Sequence, residues 1–323
     1  MKYPGHIMFL SKGEIIVGTS VVLNSIISLF IMIMAGLYGH RREILSEEIN
    51  KGLINILIQI ALPCMVFCSF LNTYGSEVKE NVIKTVWYSL GAYILMGAAS
   101  FLLLLPVKKD KRTILHFANI FVNTGYVGFP VLNSLYGSEG VVYGSIFNMF
   151  FVIFVWTYGI SLYKGDLRLR EFKCELKNAL LNPSIIAVGA GLLVMFLNIQ
   201  IPDAIIAAAR GIGNLTVPLS MMIIGFTLSK VKYKEYLRDW TVYYGVLVKL
   251  VVLPLIIYLA ALPVGITSIA VKTVIIMSAL PASAMTSIFA DAFDREKEYA
   301  ALVVSATTLL SLITITFFVG FLL

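Results

Sequence analysis

The amino-acid sequence predicts an all-α integral membrane protein with ten transmembrane helices, arranged as two inverted five-helix repeats with broken fourth and ninth helices. Three observations lead there: apolar runs of membrane-spanning length, basic residues gathered in alternate loops, and helix-breaking residues at matching ranks in the two halves. Of 323 residues, 59% are hydrophobic and 13% charged, and the mean hydropathy is +0.89. Soluble domains are about 45–50% apolar and about 25% charged. The excess is concentrated in runs that meet the roughly 20 residues a helix needs to cross the hydrocarbon core. The ten-residue alternating segments of a membrane barrel are not seen.

The runs fall at 17–38, 51–73, 82–106, 113–136, 140–163, 180–199, 203–228, 240–261, 265–290 and 299–322. The first begins after Glu14, is too long for a signal-peptide core and has no small-residue cleavage site behind it, so it reads as a retained span. Loops after the odd-numbered spans hold Arg41, Arg42 and Lys51; Lys108, Lys109, Lys111 and Arg112; Lys164, Arg168, Arg170, Lys173 and Lys177; Lys230, Lys232, Lys234 and Arg238; and Arg295 and Lys297. The other side holds Lys2, Lys12, Lys79 and Lys84. Basic loops lie on the cytoplasmic side, which puts both termini outside. The net charge of +7 therefore orients the chain in a bilayer and does not call for a nucleic-acid partner. The longest hydrophilic connection, KGDLRLREFKCELKN at 164–178, divides a first repeat (1–163) from a second (179–323). Five spans in each half is an odd number, so the second half runs inverted, a build common among secondary transporters.

The halves also match in their interruptions. IALPCMVF in span 2 corresponds to LTVPLSMMI in span 7, and NIFVNTGYVGFPVL (119–132) in span 4 to SALPASAMTSIFA in span 9. Gly125, Gly128 and Pro130 interrupt the fourth span and Pro281 the ninth. Proline removes a backbone donor and glycine loosens the helix. In lipid the freed groups need new partners, so such breaks face protein or a wet cavity. A half-helix restarts near Thr124–Gly125 and another near Ala282–Ser283. The first N–H groups of each, at a positive dipole end, suit an anion. Asn119 and Asn123 are four apart and share a helix face, where their amides can donate to a carboxylate; for each, an interhelical hydrogen bond is the competing reading.

Lys249 lies about nine residues inside span 8, roughly 13 Å at helical rise, too deep to snorkel. It should face the bundle interior and serve function or have a partner. Lys272, Arg210 and His116, the last close to Lys111 and Arg112, read as interfacial. No Asp or Glu falls inside a span, Asp291 coming closest, and no zinc-protease motif, paired aspartates or phosphate loop is found. No enzyme activity, cofactor or metal site is expected; coupling to H+ or Na+ stays open. Cys64, Cys68 and Cys174 have neither zinc nor disulfide spacing, and Cys64 and Cys68 read as small hydrophobes on one helix face.

The motifs FVNTGYVGFPVLNSLYG (121–137), NPSIIAVGAGLL (182–193), NLTVPLSMMIIGFTL (214–228), VKLVVLPL (248–255), ALPASAM (279–285) and SATTLLSLIT (305–314) together resemble the auxin efflux carrier family, the bacterial relatives of the plant PIN carriers. The resemblance runs through most of the chain, and its fourth- and seventh-span motifs are the most specific. It implies a bile acid:sodium symporter-like fold. Spans 1, 2, 6 and 7 would form a scaffold, joined as a homodimer, and spans 3–5 and 8–10 a mobile transport domain. It further implies that Asn123 contacts substrate and that Pro281 marks the ninth-helix crossover. Val122 stands where plant members have a proline, so the fourth-helix break rests on Asn123–Gly125. The long central loop of many plant members is absent.

The expectation is a secondary transporter of small organic anions, auxin-like or dicarboxylate, working by an elevator motion in the cell membrane. Its candidate substrate-binding residues are Asn119, Asn123, Thr124, Gly125, Lys249, Pro281, Ala282 and Ser283. An anion-permeable channel is the alternative.

Overall fold

The computed structural model describes residues 12–71, 76–164, 177, 180–229 and 239–322. Most of the predicted central loop, with Cys174, and the basic loop at 230–238 lie outside these residues. The described chain is helical throughout its regular structure, apart from one isolated backbone bridge. In order run α1 (Lys12–Arg41), α2 (Glu47–Leu71), α3 (Ser76–Leu103), α4 (Lys109–Ile120) and α5 (Thr124–Lys164). Then follow α6 (Pro183–Leu197), α7 (Asp203–Gly213), α8 (Thr216–Ser229), α9 (Trp240–Val264), α10 (Ile269–Ser278), α11 (Met285–Ala292) and α12 (Lys297–Phe317).

Six segments among the described residues are long and apolar enough to cross a membrane: α2, Glu77–Leu103, α5, Asp203–Ser229, α9 and Lys297–Gly320. Ile27–Arg41, α6 and α10 are shorter apolar helices. The outer surface is greasy, with Trp87 68%, Ile94 63% and Ile313 70% exposed, as contact with lipid rather than water demands. The chain is thus a multi-pass, all-helical membrane protein.

The sequence explains where the helices start and stop. Ser46 caps α2 by accepting from the Ile49 N–H, Asn182 caps α6 through the Ser184 N–H, and Ser268 caps α10 through the Val271 N–H. Pro183 takes the first position of α6, where a missing N–H costs nothing. α5 has 41 residues, about 60 Å of helix at full length and twice the hydrocarbon core. It is interrupted at Gly137, whose φ of 58° and ψ of −144° suit glycine and no L-residue. That break is the predicted boundary between spans 4 and 5. Three π turns, Leu57–Ala61, Thr124–Gly128 and Val248–Val252, each end two residues before a proline: Pro63, Pro130 and Pro254. The proline ring clashes with the carbonyl four residues back, and widening the preceding turn accommodates it.

The predicted spans 4, 7 and 9 are split. Span 4 is α4 plus the first limb of α5, with 121–123 non-helical; span 7 divides into α7 and α8 at Asn214–Leu215; span 9 divides into α10 and α11 across 279–284. α1 and α8 cross closely through Gly36 and Gly225. A Cβ on Gly225 would strike the Ile33 carbonyl and the Leu37 nitrogen, and one on Gly36 the Met222 carbonyl. α2 packs on α6, where Gly191 receives Phe70, and on α7, where Gly213 meets the Met65 backbone. α5 packs between α3 and α10. Buried Phe117, Phe121, Phe147 and Met277 fill the interior around the two breaks.

Candidate functional site

The two breaks meet. Val122 and Ala282 form an isolated antiparallel bridge. The Asn123 N–H donates to the Pro281 carbonyl at 2.8 Å, and the Ser283 N–H to the Phe121 carbonyl at 2.9 Å. Two unwound segments some 160 residues apart in sequence thereby satisfy each other's backbone, as unwound chain at membrane depth requires. Thr307 of α12 adds a side-chain acceptor for the Ala282 N–H at 3.2 Å.

From this crossover two half-helices lead away, and their N-terminal ends open on one cavity of about 280 Å³. Asn123, Thr124, Gly125 and Ser283 line it, joined by Asn148 and Ala284. The Asn123 Oδ1 accepts from the Tyr126 N–H at 3.1 Å, which caps the restarted helix and leaves the amide NH2 at the cavity wall. The Ser283 Oγ likewise accepts from the Met285 N–H at 3.2 Å. The Thr124 hydroxyl donates to the Asn148 Oδ1 at 2.6 Å, which points that amide's two donors elsewhere. The far wall is apolar, from Ile54, Ile58, Val152 and Trp156. An end with several N–H donors and no carboxylate, opposite a greasy wall, is chemistry for a small anion with an organic body.

The other predicted site residues sit elsewhere. Pro281 and Ala282 are buried in the bridge and do not line the cavity. The shared face expected for Asn119 and Asn123 is lost because α4 stops at Ile120, which ends the helical period between them. Asn119 is fully buried, and its amide donates to the Ser100 Oγ at 3.0 Å. The competing reading, an interhelical hydrogen bond, is the one realised for that residue. Gly128 and Pro130, on α5 itself, are buried, Gly128 close to Leu280 and Met277.

Lys249 is 1% exposed, in the interior as its depth demanded. Its Nζ donates to the Asn119 carbonyl at 3.1 Å and the Ser278 carbonyl at 3.4 Å, and it is not among the cavity-lining residues. His116, expected at the interface, is instead buried. Its Nδ1 lies 2.9 Å from the Ser100 Oγ and its Nε2 2.8 Å from the Tyr158 hydroxyl. The neighbouring Lys111 and Arg112 belong to the same helix but lie a turn nearer its start, so sequence proximity misplaced the histidine. Asn148 and Ala284 were missed; a lone asparagine inside the apolar FNMFFVIF was the available signal.

A second cavity of about 440 Å³ lies further along α5, against Asn133, Ser134 and Ser138, and is also lined by Cys68, Ser69 and Arg210. Arg210, which is exposed, also borders this polar cavity. Between the two cavities Val127 to Leu132 are buried. From Thr124 to Asn133 that is about 13 Å of packed helix.

The model of a family described as membrane transport protein matches residues 21–319. The chain therefore belongs to this family, that of the auxin efflux carriers. An uncharacterized transporter of Methanocaldococcus jannaschii is 24% identical over 91% of this chain and 96% of its own length. One of Methanothermobacter thermautotrophicus is 22% identical over 90% and 95%. The uncharacterized transporter YfdV of Escherichia coli is 21% identical over 84% and 88%.

Proposed function

We propose that this member of a membrane transport family is a secondary transporter of small organic carboxylates. The observation that carries the reading is the bridged crossover, from which two half-helix N-termini face one cavity beside Asn123, Thr124 and Ser283. The carboxylate sits against the Gly125 and Ala284 backbone donors and the Asn123 amide, and its organic body against Ile58 and Trp156. Lys249 contributes charge without contact. It neutralises the carbonyl ends of α4 and α10, so the positive ends of the half-helices dominate the field at the cavity.

The chain works by elevator-type alternating access, with ten spans in two inverted repeats. Spans 1, 2, 6 and 7 form a dimeric scaffold and spans 3–5 and 8–10 the moving body, with both termini outside and the basic loops in the cytoplasm. The buried stretch between the two cavities favours alternating access over an open channel, because a channel needs a continuous wet path. The test is uptake of a labelled carboxylate panel into proteoliposomes under imposed pH, sodium or voltage gradients. Saturable uptake of one anion is expected, and the gradient that accelerates it names the coupling. Absence of uptake across the panel by folded protein refutes the reading, and large unitary currents replace it with a channel.

A further inference from the structure

Each broken helix leaves carbonyls at its end without their usual partners, those of Asn119 and Ser278 among them. In an unbroken helix the Asn119 carbonyl would take the Asn123 N–H and the Ser278 carbonyl the Ala282 N–H. Here Asn123 gives its N–H to Pro281, and Ala282 gives its own to Thr307. Both orphaned oxygens are buried at negative helix ends. Lys249 reaches both of them with one ammonium. No salt bridge among the described residues involves it, so these oxygens are what balances its charge. Asn119 also holds a buried side-chain Oδ1 with no hydrogen-bond partner. Its amide is fixed by Ser100, which pairs with the His116 Nδ1, while the His116 Nε2 pairs with the Tyr158 hydroxyl.

We propose that the carbonyl oxygens of Asn119 and Ser278 form a monovalent-cation site whose occupant is the tethered ammonium of Lys249. Such oxygens at unwound helix ends are the ligand set that broken membrane helices offer to small cations. A side-chain cation stays in place whatever the ionic composition, so the crossover keeps its charge without bound sodium. Removing the side chain opens the site to a mobile cation of similar size.

The experiment is thermal unfolding of detergent-purified protein without solute, in sodium, lithium, methylammonium or choline chloride at equal ionic strength. The wild type is expected to melt at one temperature in all four salts. Lys249→Ala should melt lower in choline and recover by about 5 °C in sodium, lithium or methylammonium at saturating concentration. Lys249→Met fills the space without donating a hydrogen bond and should stay low in every salt, which separates cation binding from lost packing. A wild type that loses stability in choline overturns the proposal, as does a Lys249→Ala protein indifferent to all small cations. Should Lys249→Ala fail to fold in choline, folding in methylammonium supports the site, and failure in all four salts counts against it. No solute enters this measurement, so its failure leaves the transport reading untouched, and failed uptake leaves this one untouched.

Discussion

Replacing Asn123 by serine separates the two things its side chain does. The Oδ1 caps the restarted helix by accepting from the Tyr126 N–H at 3.1 Å, while the amide NH2 stands at the cavity wall. Serine is as good an N-cap as asparagine, so the folded protein should keep its melting temperature. The amide donor toward the solute is lost, and the serine O–H, on a shorter side chain held at the cap, reaches less far into the cavity. A hydrogen bond to a charged group contributes about 1.5–3 kcal/mol, and each 1.4 kcal/mol is about tenfold, so the KM for carboxylate uptake should rise by about 10- to 150-fold. Asn123→Ala removes the cap as well and should cost about 1 kcal/mol of stability in addition. The assay is initial-rate uptake in proteoliposomes, paired with thermal unfolding of the same preparations. An Asn123→Ser protein with unchanged melting temperature and unchanged KM would show that the amide does not touch the solute, and the cavity assignment would fall with it.

Three further outcomes follow from the geometry. Gly225→Ala should destabilise by about 1–3 kcal/mol or more, because the new methyl meets the α1 backbone, whereas Gly91→Ala has open space and should be neutral or slightly stabilising; thermal unfolding separates them. Thr307→Val keeps the shape but strips the buried Ala282 N–H of its acceptor, costing about 1–3 kcal/mol, read as a lower melting temperature. Asp239 at the start of α9 is pushed up by partial burial, but hydrogen bonds from Lys111 and Thr241 and the Lys111 charge outweigh this and hold its carboxyl below the usual range. A lowered folded value means that the stabilisation is present above the unfolded pKa of about 4 and is lost as pH falls through the folded one. Acid unfolding of the wild type should therefore lose a component below about pH 4 that Asp239→Asn lacks.

The sequence by itself determined the all-helical membrane class and marked places where helices break. Apolar runs and Gly125, Gly128, Pro130 and Pro281 carry that information locally, since a bilayer fixes the length of a span and backbone chemistry fixes where it must end. It also marked Asn123, Thr124, Gly125 and Ser283, because each lies within a turn of a break, and it put Lys249 inside because a buried charge needs company. Only the tertiary structure decided which donor answers which acceptor. Asn123 pairs with Pro281, Ala282 with Thr307, and Lys249 with two carbonyls more than a hundred and about thirty residues away. Those pairings depend on how broken helices cross, and a crossing leaves no period or spacing in the sequence. The same cause moved Asn119 away from the cavity and His116 into the interior: a helical repeat projects faces correctly only while the helix continues, and neighbours in sequence become neighbours in space only through packing.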